Sequence, residues 1–413
     1  MKTGKIAQNT IALYAMNIAK MIMPLVTLPY LTRVLSKDCY GVVAYVKAVM
    51  QYMQLFVDFG FLYSGVKDIV AVRDDARRLG EETGNIFVAK ILLGGMAGCV
   101  LLVLIPLIPI LRANAIYTLL SFAVVFLTCF LFDHFFRGIE RMHVITIRFV
   151  VMKSIAAALT FVFVKSDADI VWISLLDILG TLVAIAFIVI ELKRLDVRLR
   201  MTGLKTVIVK IRDSAVYFVS DVATTVFGAL NTLVIGICLS ESDVASWSLC
   251  MQLVGAVQAM YTPLTNGVYP AMVKTKSIRI IKNLIKIFLP IVIAGCAFTF
   301  VTADWVVRIV GGSNYADVAT LLRCVIPLLF FSFPAMVLGW PTLGGIGKAT
   351  EMMLTTTCAA IAQITGLVVL VAMGQFTLIN LAILRCFVEF VLFSARLSMC
   401  IRFSNEFSYD GGV

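Results

Sequence analysis

The feature that most constrains this chain is a recurring one: long apolar runs divided by short polar corners. A helix needs about 20 apolar residues to cross about 30 Å of hydrocarbon. Twelve runs qualify, at 9–33, 40–63, 86–111, 115–136, 144–164, 168–190, 214–239, 243–270, 284–304, 316–339, 352–373 and 378–400. Hydrophobic residues are 61% of the 413 and charged residues 14%, against about 45–50% and about 25% in a soluble domain. Such a chain has too little polar surface to face water. The runs are continuous rather than alternating, which argues against a β-barrel. The expected fold is an all-α integral membrane protein with twelve transmembrane helices in two six-helix lobes around a central cavity.

Charge sets the expected orientation. Basic residues concentrate in alternate loops: Lys67 to Arg78, Arg137 and Arg141, Lys193 to Arg212, Lys274 to Lys282, Lys348 and Arg402. The intervening loops hold few, and Ser240–Asp243 holds two acids and no base. With Lys2 and Lys5 at the start, this is the positive-inside pattern, with both termini cytoplasmic. The net charge of +11 therefore reads as membrane topology, and no module for nucleic acid is present. The start, MKTGKIAQNT, has no small-residue cleavage site and leads into a run too long for a signal h-region, so it reads as the approach to a first span. The ten cysteines are scattered through apolar segments without ligand spacing, as small packing residues are.

The longest polar stretch, roughly 191–212, divides the chain into expected lobes 1–200 and 201–413. A weak internal echo supports the division: Leu35-Ser36 and Leu239-Ser240 each precede a span, 204 residues apart. Two halves of even helix number share an orientation and place a working site between them.

Ionisable groups inside spans are costly and mark pathways or pairs. Lys20, Lys47 and Lys153 lie deep and lack a partner on their own helix, and Arg323 joins them from the second half. These four are the expected substrate-binding cations. Asp58, Asp177 and Asp221 are the candidates for coupling or counter-charge. Arg385 and Glu389 pair by spacing at i, i+4, as do Asp133 and Arg137. Lys90 and Arg148 lie near the cytoplasmic side, where long side chains snorkel. Polar stripes at helical spacing, such as Ser174, Asp177 and Thr181, or Tyr217, Asp221, Thr224, Gly228 and Asn231, face other helices or water; plain interhelical hydrogen bonds explain the uncharged members equally well. A chamber lined by unpaired cations takes up an anion, and a diphosphate fits.

Catalytic signatures are missing. Gly344 to Thr350 resembles a phosphate loop only superficially: position 342 is Thr and Lys348 is followed by Ala. His134 and His143 have no metal-ligand context, no nucleophile motif occurs, and external loops run to about a dozen residues, too short for a membrane glycosyl-polymerase. No enzyme activity, metal or other cofactor is expected.

The run LPYLTRVLSKDCYGVVAYVKAVMQYMQLFVDFGF, with Arg73 beyond it, resembles the N-terminal signature of the polysaccharide-transporter family. These are Wzx-type flippases for O-antigen and capsule repeat units, within the multidrug/oligosaccharidyl-lipid/polysaccharide exporter superfamily. Gly311 to Ala316 and Pro327-Leu328 resemble its second half. The resemblance implies twelve helices in two lobes, an inner-membrane location, and alternating-access export of undecaprenyl-diphosphate-linked oligosaccharide from the cytoplasmic to the periplasmic leaflet. It implies that Pro29, Arg33, Gly41, Asp58 and Gly60 are motif positions. The family's usual Gly at the first corner is Ser36 here. Expected partners are the lipid-linked oligosaccharide, membrane lipids, a coupling proton or sodium ion, and a polysaccharide polymerase with its chain-length regulator. A multidrug or cation antiporter of the same superfamily is the alternative; it calls for an acidic cavity, whereas the deep charges here are mainly basic.

Overall fold

The computed structural model describes residues 2–408, with side chains from residue 15 onward except at 220, 223, 224, 226 and 227. Lys2, Lys5 and Thr224 therefore lie outside the described side chains. Contacts divide the chain into two compact units, Met1–Thr225 and Val226–Val413. The first holds α1 (Lys2–Val34), α2 (Lys37–Asp58), α3 (Ser64–Val72), α4 (Ala76–Leu107), α5 (Pro109–Ala113), α6 (Ala115–Leu127), α7 (Asp133–Gly138), α8 (Met142–Phe163), α9 (Ile170–Arg194) and α10 (Leu204–Thr225). The second holds α11 (Asn231–Cys238), α12 (Glu241–Thr275), α13 (Ile278–Gly311), α14 (Val318–Val337), α15 (Ala349–Ala372) and α16 (Leu378–Arg402), with π-helical turns at Val226–Leu230 and Leu338–Gly344. Among the described residues there is no β-strand, only one isolated bridge between Ser277 and Ser408.

Eight helical segments are long and apolar enough to cross a membrane: α4, α6 with α7, α8, α9, α13, α14 with its π-turn, α15 and α16. This is a multi-pass membrane protein. The four other expected spans, 9–33, 40–63, 214–239 and 243–270, are helical over most of their length but carry more polar groups. Helix α2 alone holds Lys37, Asp38, Lys47 and Asp58.

Local chemistry explains where the helices start and stop. Ser36 is the N-cap of α2, its hydroxyl accepting from the Cys39 amide. Ser240 is the N-cap of α12 and forms a capping box with Asp243. The two serines of the sequence echo thus do the same local job, satisfying amides that a helix start leaves free. Serine caps at least as well as the glycine expected at this corner. Helix α2 ends on Phe59 and Gly60 at φ of +39° and +76°. A Cβ on Gly60 would stand 2.6 Å from Tyr217 Cβ and 2.8 Å from the Ser214 carbonyl, so the missing side chain lets α10 close on the end of α2.

Each unit is built on an inner helix. From Tyr40 to Met50 every residue of α2 except Lys47 is buried. In the second unit 67% of the apolar window of α14 is buried, whereas none of that of α13 is. Helix α13 therefore turns its apolar surface to lipid, and α14 is the core. Buried Phe333, Val337 and Leu338 pack there with Met272, Ile281 and Leu343.

Candidate functional site: a charged seam in the first unit

Helix α2 supplies the spine. Lys47, Gln51, Gln54 and Asp58 fall at i, i+4, i+7 and i+11, one face at 3.6 residues per turn. Lys47 and Gln51 are exposed, and Gln54 and Asp58 half-buried. Between Tyr40 and Val49 Lys47 is the one residue of α2 that is not buried; further along, Phe56 is exposed on the opposite face.

Asp58 anchors the inner end of this seam. Its Oδ1 accepts from Lys90 Nζ at 2.8 Å and its Oδ2 from Gln54 Nε2 at 2.8 Å; the Gln54 amide also donates to Thr128 Oγ1 at 3.0 Å. Lys90 does not snorkel, because Asp58 meets it inside and its side chain is only 7% exposed.

Arg148 is buried in the same way. Its guanidinium donates to Asp133 Oδ1 at 2.6 Å and to the Leu131 carbonyl at 2.9 Å. That carbonyl is free because Phe132, at φ +50°, breaks the chain between the 3-10 turn Thr128–Leu131 and α7. The expected Asp133–Arg137 pair does not form: Asp133 turns to Arg148, and the buried Arg137 Nε has no partner. Lys20 projects from α1 with its ammonium 5.5 Å from the Phe149 ring centroid, in electrostatic range of Arg137, Asp133 and Arg148.

Two of the four expected free cations are paired. Lys153 Nζ donates to Asp177 Oδ1 at 2.8 Å, with both side chains about one-third exposed. Arg323 binds Asp304 of α13, donates to the Phe300 carbonyl at 3.2 Å, and sits five residues into α14, about 8 Å from its start. It belongs to the second unit and is a tie between α13 and α14, not a deep free charge. Its acid lies on another helix, so spacing along α14 gave no sign of it. Lys47 makes no hydrogen bond or ion pair among the described residues. It is exposed, with Lys153 and Asp177 as its charged neighbours. Asp221 of α10 lies in the field of Asp58.

Of the motif positions, Gly41 is buried near the start of α2, and Pro29 is half-buried one turn before Arg33 in the last turn of α1. The α9 stripe binds neighbouring helices: Ser174 to Ser121 at 2.7 Å, Asp177 to Lys153, and Thr181 to Met152 Sδ at 3.7 Å. Asn231 of the other stripe accepts from Gln363 Nε2 at 3.0 Å, inside the second unit. Arg385 and Glu389 pair at 2.9 Å as their spacing suggests. Sequence reasoning missed Arg396, whose guanidinium donates to the Ala335 carbonyl at 2.7 Å and lies where a Cβ on Gly339 would be. The available signal was Arg396 itself, a base inside the expected span 378–400.

Comparison with known proteins places this geometry. Residues 6–276 match the model of a family described as polysaccharide biosynthesis protein. Two relatives carry the name "Putative O-antigen transporter". One, from Escherichia coli strain K12, is 23% identical over 80% of this chain and 82% of its own. The other, from Shigella dysenteriae, is 25% identical over 65% and 67%. Among solved structures, the lipid II flippase MurJ in an inward closed conformation aligns with a TM-score of 0.73 at 12% identity, over 96% of this chain and 87% of that one. An inward-facing multidrug resistance MATE family transporter of the MOP superfamily aligns with a TM-score of 0.66 at 16% identity, over 94% and 98%. At these identities the solved structures speak for the fold alone.

Proposed function

The chain belongs to the polysaccharide biosynthesis protein family, and on that premise we propose that it is a flippase for lipid-linked oligosaccharide. In this reading it crosses the cytoplasmic membrane twelve times with both termini inside, and its two units are the two lobes of an alternating-access transporter. The substrate is an undecaprenyl-diphosphate-linked repeat unit of O-antigen or a related surface polysaccharide. The names of the two curated relatives favour that cargo, and the neighbour MurJ, a lipid II flippase by name, shares the fold.

One observation carries the mechanism: Lys47, exposed on a stretch of α2 that is otherwise buried from Tyr40 to Met50, has no hydrogen bond or ion pair among the described residues. A charge within a span is costly unless water or an anion reaches it. A diphosphate entering the seam neutralises Lys47 first. It then competes with Asp177 for Lys153, and Lys20 over Phe149 adds a third cation on the cytoplasmic side. The polyprenyl tail stays in lipid. Asp58, Asp177 and Asp221 are the groups on which a proton or sodium ion acts, if one drives the cycle. Arg323, the fourth expected cation, is held by Asp304 in the second unit and is given no phosphate contact in this reading. Bases outnumber acids along the seam, which disfavours the multidrug or cation antiporter reading. A polymerase and chain-length regulator are the expected downstream partners.

The test is export of surface polysaccharide in a strain that depends on this protein. Lys47→Ala and Lys20→Ala abolish it at normal membrane levels of the protein, and Lys47→Arg retains part of it. Full export by both alanine variants overturns the cationic-seam mechanism.

A further inference from the structure

The stretch between α9 and α10 is not a free linker. Arg198 to Thr202 lie extended across the first turns of α4. The Arg200 amide donates to the Gly80 carbonyl at 3.1 Å, the Thr202 amide donates to Asn85 Oδ1 at 3.0 Å, and Asn85 Nδ2 donates to Thr202 Oγ1 at 3.0 Å. Gly80 and Gly84, one turn apart, form the groove. A Cβ on either would stand 2.2 Å from a carbonyl oxygen of the strap, that of Arg198 or of Arg200.

Backbone rather than side chains fills this groove, and the consequence is unusual. Every side chain from Arg198 to Met201 is exposed, including two large apolar ones, Leu199 at 40% and Met201 at 47%. Helix α10 extends the platform with Leu204 at 60%, Lys205, and Ile208 at 64%. Arg200 and Lys205 have no ion pair among the described residues, and Arg198 reaches only the exposed Asp196 at 3.7 Å. Cations therefore alternate with apolar side chains on a strip held at a fixed height by the fold.

Water does not suit this strip, and neither does pure hydrocarbon. The headgroup boundary of an anionic leaflet suits it, where apolar side chains dip between acyl chains and bases meet phosphodiesters. Continuity argues for lipid over a soluble protein partner. Leu204 and Ile208 share one face of α10, at helical spacing, with exposed Arg212 and then with Val216 and Val219, which are 76% and 66% exposed inside the expected span 214–239, so a last base gives way to an apolar face.

We propose that the strap 198–202 and the first two turns of α10 form a seat for anionic phospholipid of the cytoplasmic leaflet, fixing the depth of α10 in the membrane. The seat rests on the proposed orientation of the chain but not on its cargo, and its test does not involve transport.

The full-length protein is purified in detergent and incubated with equimolar phosphatidylglycerol and phosphatidylcholine, and the lipids retained are counted by native mass spectrometry. Wild type retains phosphatidylglycerol in preference. Neutralising Arg198, Arg200 and Lys205 to Gln lowers that retention by about fivefold per residue, the order of magnitude of a juxtamembrane base on an anionic leaflet. Leu199→Ser with Met201→Ser lowers it with no change in charge. Millimolar inorganic phosphate does not compete. All of these positions are exposed, and a monodisperse elution profile verifies each variant's fold. Equal retention by the triple variant overturns the proposal. So does an equal loss on neutralising Lys274, Lys276 and Arg279 in the second unit, which reduces the effect to general attraction. Displacement by phosphate reduces the seat to a simple anion site and overturns it as well.

Discussion

A buried ion pair does not put both partners at equal risk. In the Lys90–Asp58 pair the lysine side chain is 7% exposed and the carboxylate 44%. Asp58→Ala strands an ammonium in a dry place, and breaking a buried pair in that way costs about 3–5 kcal/mol. Lys90→Ala leaves a carboxylate that still reaches water and keeps Gln54, so it costs much less. Thermal unfolding of the two variants in detergent checks the asymmetry, with Asp58→Ala melting clearly lower. A second contrast concerns glycine. Gly60→Ala combines a left-handed backbone with contacts under 3 Å to α10 and loses about 2–4 kcal/mol. Gly95→Ala, with nothing within 4 Å, is neutral or slightly stabilising in the same assay. The residue scale also shows what the sequence could tell. Lys20, Lys47, Lys90, Arg148, Lys153 and Arg323 stand out because a base in an apolar run is conspicuous. Their acids do not stand out as partners, because Asp58, Asp133, Asp177 and Asp304 each sit on a different helical segment from the base they meet. Pairing along one helix, as for Arg385 and Glu389, was legible; pairing across helices depends on packing that no spacing rule reports.

At the scale of elements, the corner between α1 and α2 is tied to the turn between α8 and α9. The Ser36 amide donates to Asp167 Oδ1 at 2.7 Å, and Tyr30 Oη donates to the Val164 carbonyl at 2.8 Å. Partial burial pushes the Asp167 carboxyl up, but hydrogen bonds from Ser36 and Cys39 outweigh it and hold it below its ordinary value. A depressed carboxyl contributes stability that is present above its unfolded pKa and is lost as pH falls through the folded one, so the tie is intact at neutral pH. Cys39 reports on it. Burial, then the nearby Asp167 charge, push its thiol up to about 12. Alkylation of Cys39, followed by mass spectrometry of its peptide, is therefore slow at pH 8 and climbs about tenfold per pH unit without a plateau to pH 10. Asp167→Asn speeds it at every pH. A plateau near pH 8.5 in the wild-type protein shows an ordinary thiol and no tie. Helices and caps were largely legible here, since the polar Ser36 corner and the acids at Ser240–Asp243 mark helix starts. What escaped the sequence was the register of one helix against another, including the strap on α4. Glycines at 80 and 84 in a polar stretch announce a close approach without saying what approaches.

The whole molecule turns on counting. Helices α3, α5 and α7, at nine, five and six residues, are too short to cross a bilayer alone, since five to nine residues rise only about 8–14 Å of the 30 Å needed. They leave the parity of the topology unchanged. Helix α11 has eight residues and cannot cross alone either. The expected span 214–239 therefore requires it to carry on from α10 through the π-helical turn Val226–Leu230, and the twelve-span reading stands or falls with that traverse. If that traverse fails, everything after it is inverted. The basic loops of the second unit, with Lys274, Lys276, Arg279 and Lys348, then face outward, against the attraction that holds such loops inside. Reporter fusions after residues 74, 140, 196, 276 and 347 are therefore expected to read cytoplasmic. Those after 114, 166, 240, 313 and 375 are expected to read external. The informative pair is 196 and 240. The same side for both makes residues 204–238 a re-entrant element and removes the twelve-span reading. Opposite sides leave a helix that carries Asp221 into the membrane in the field of Asp58.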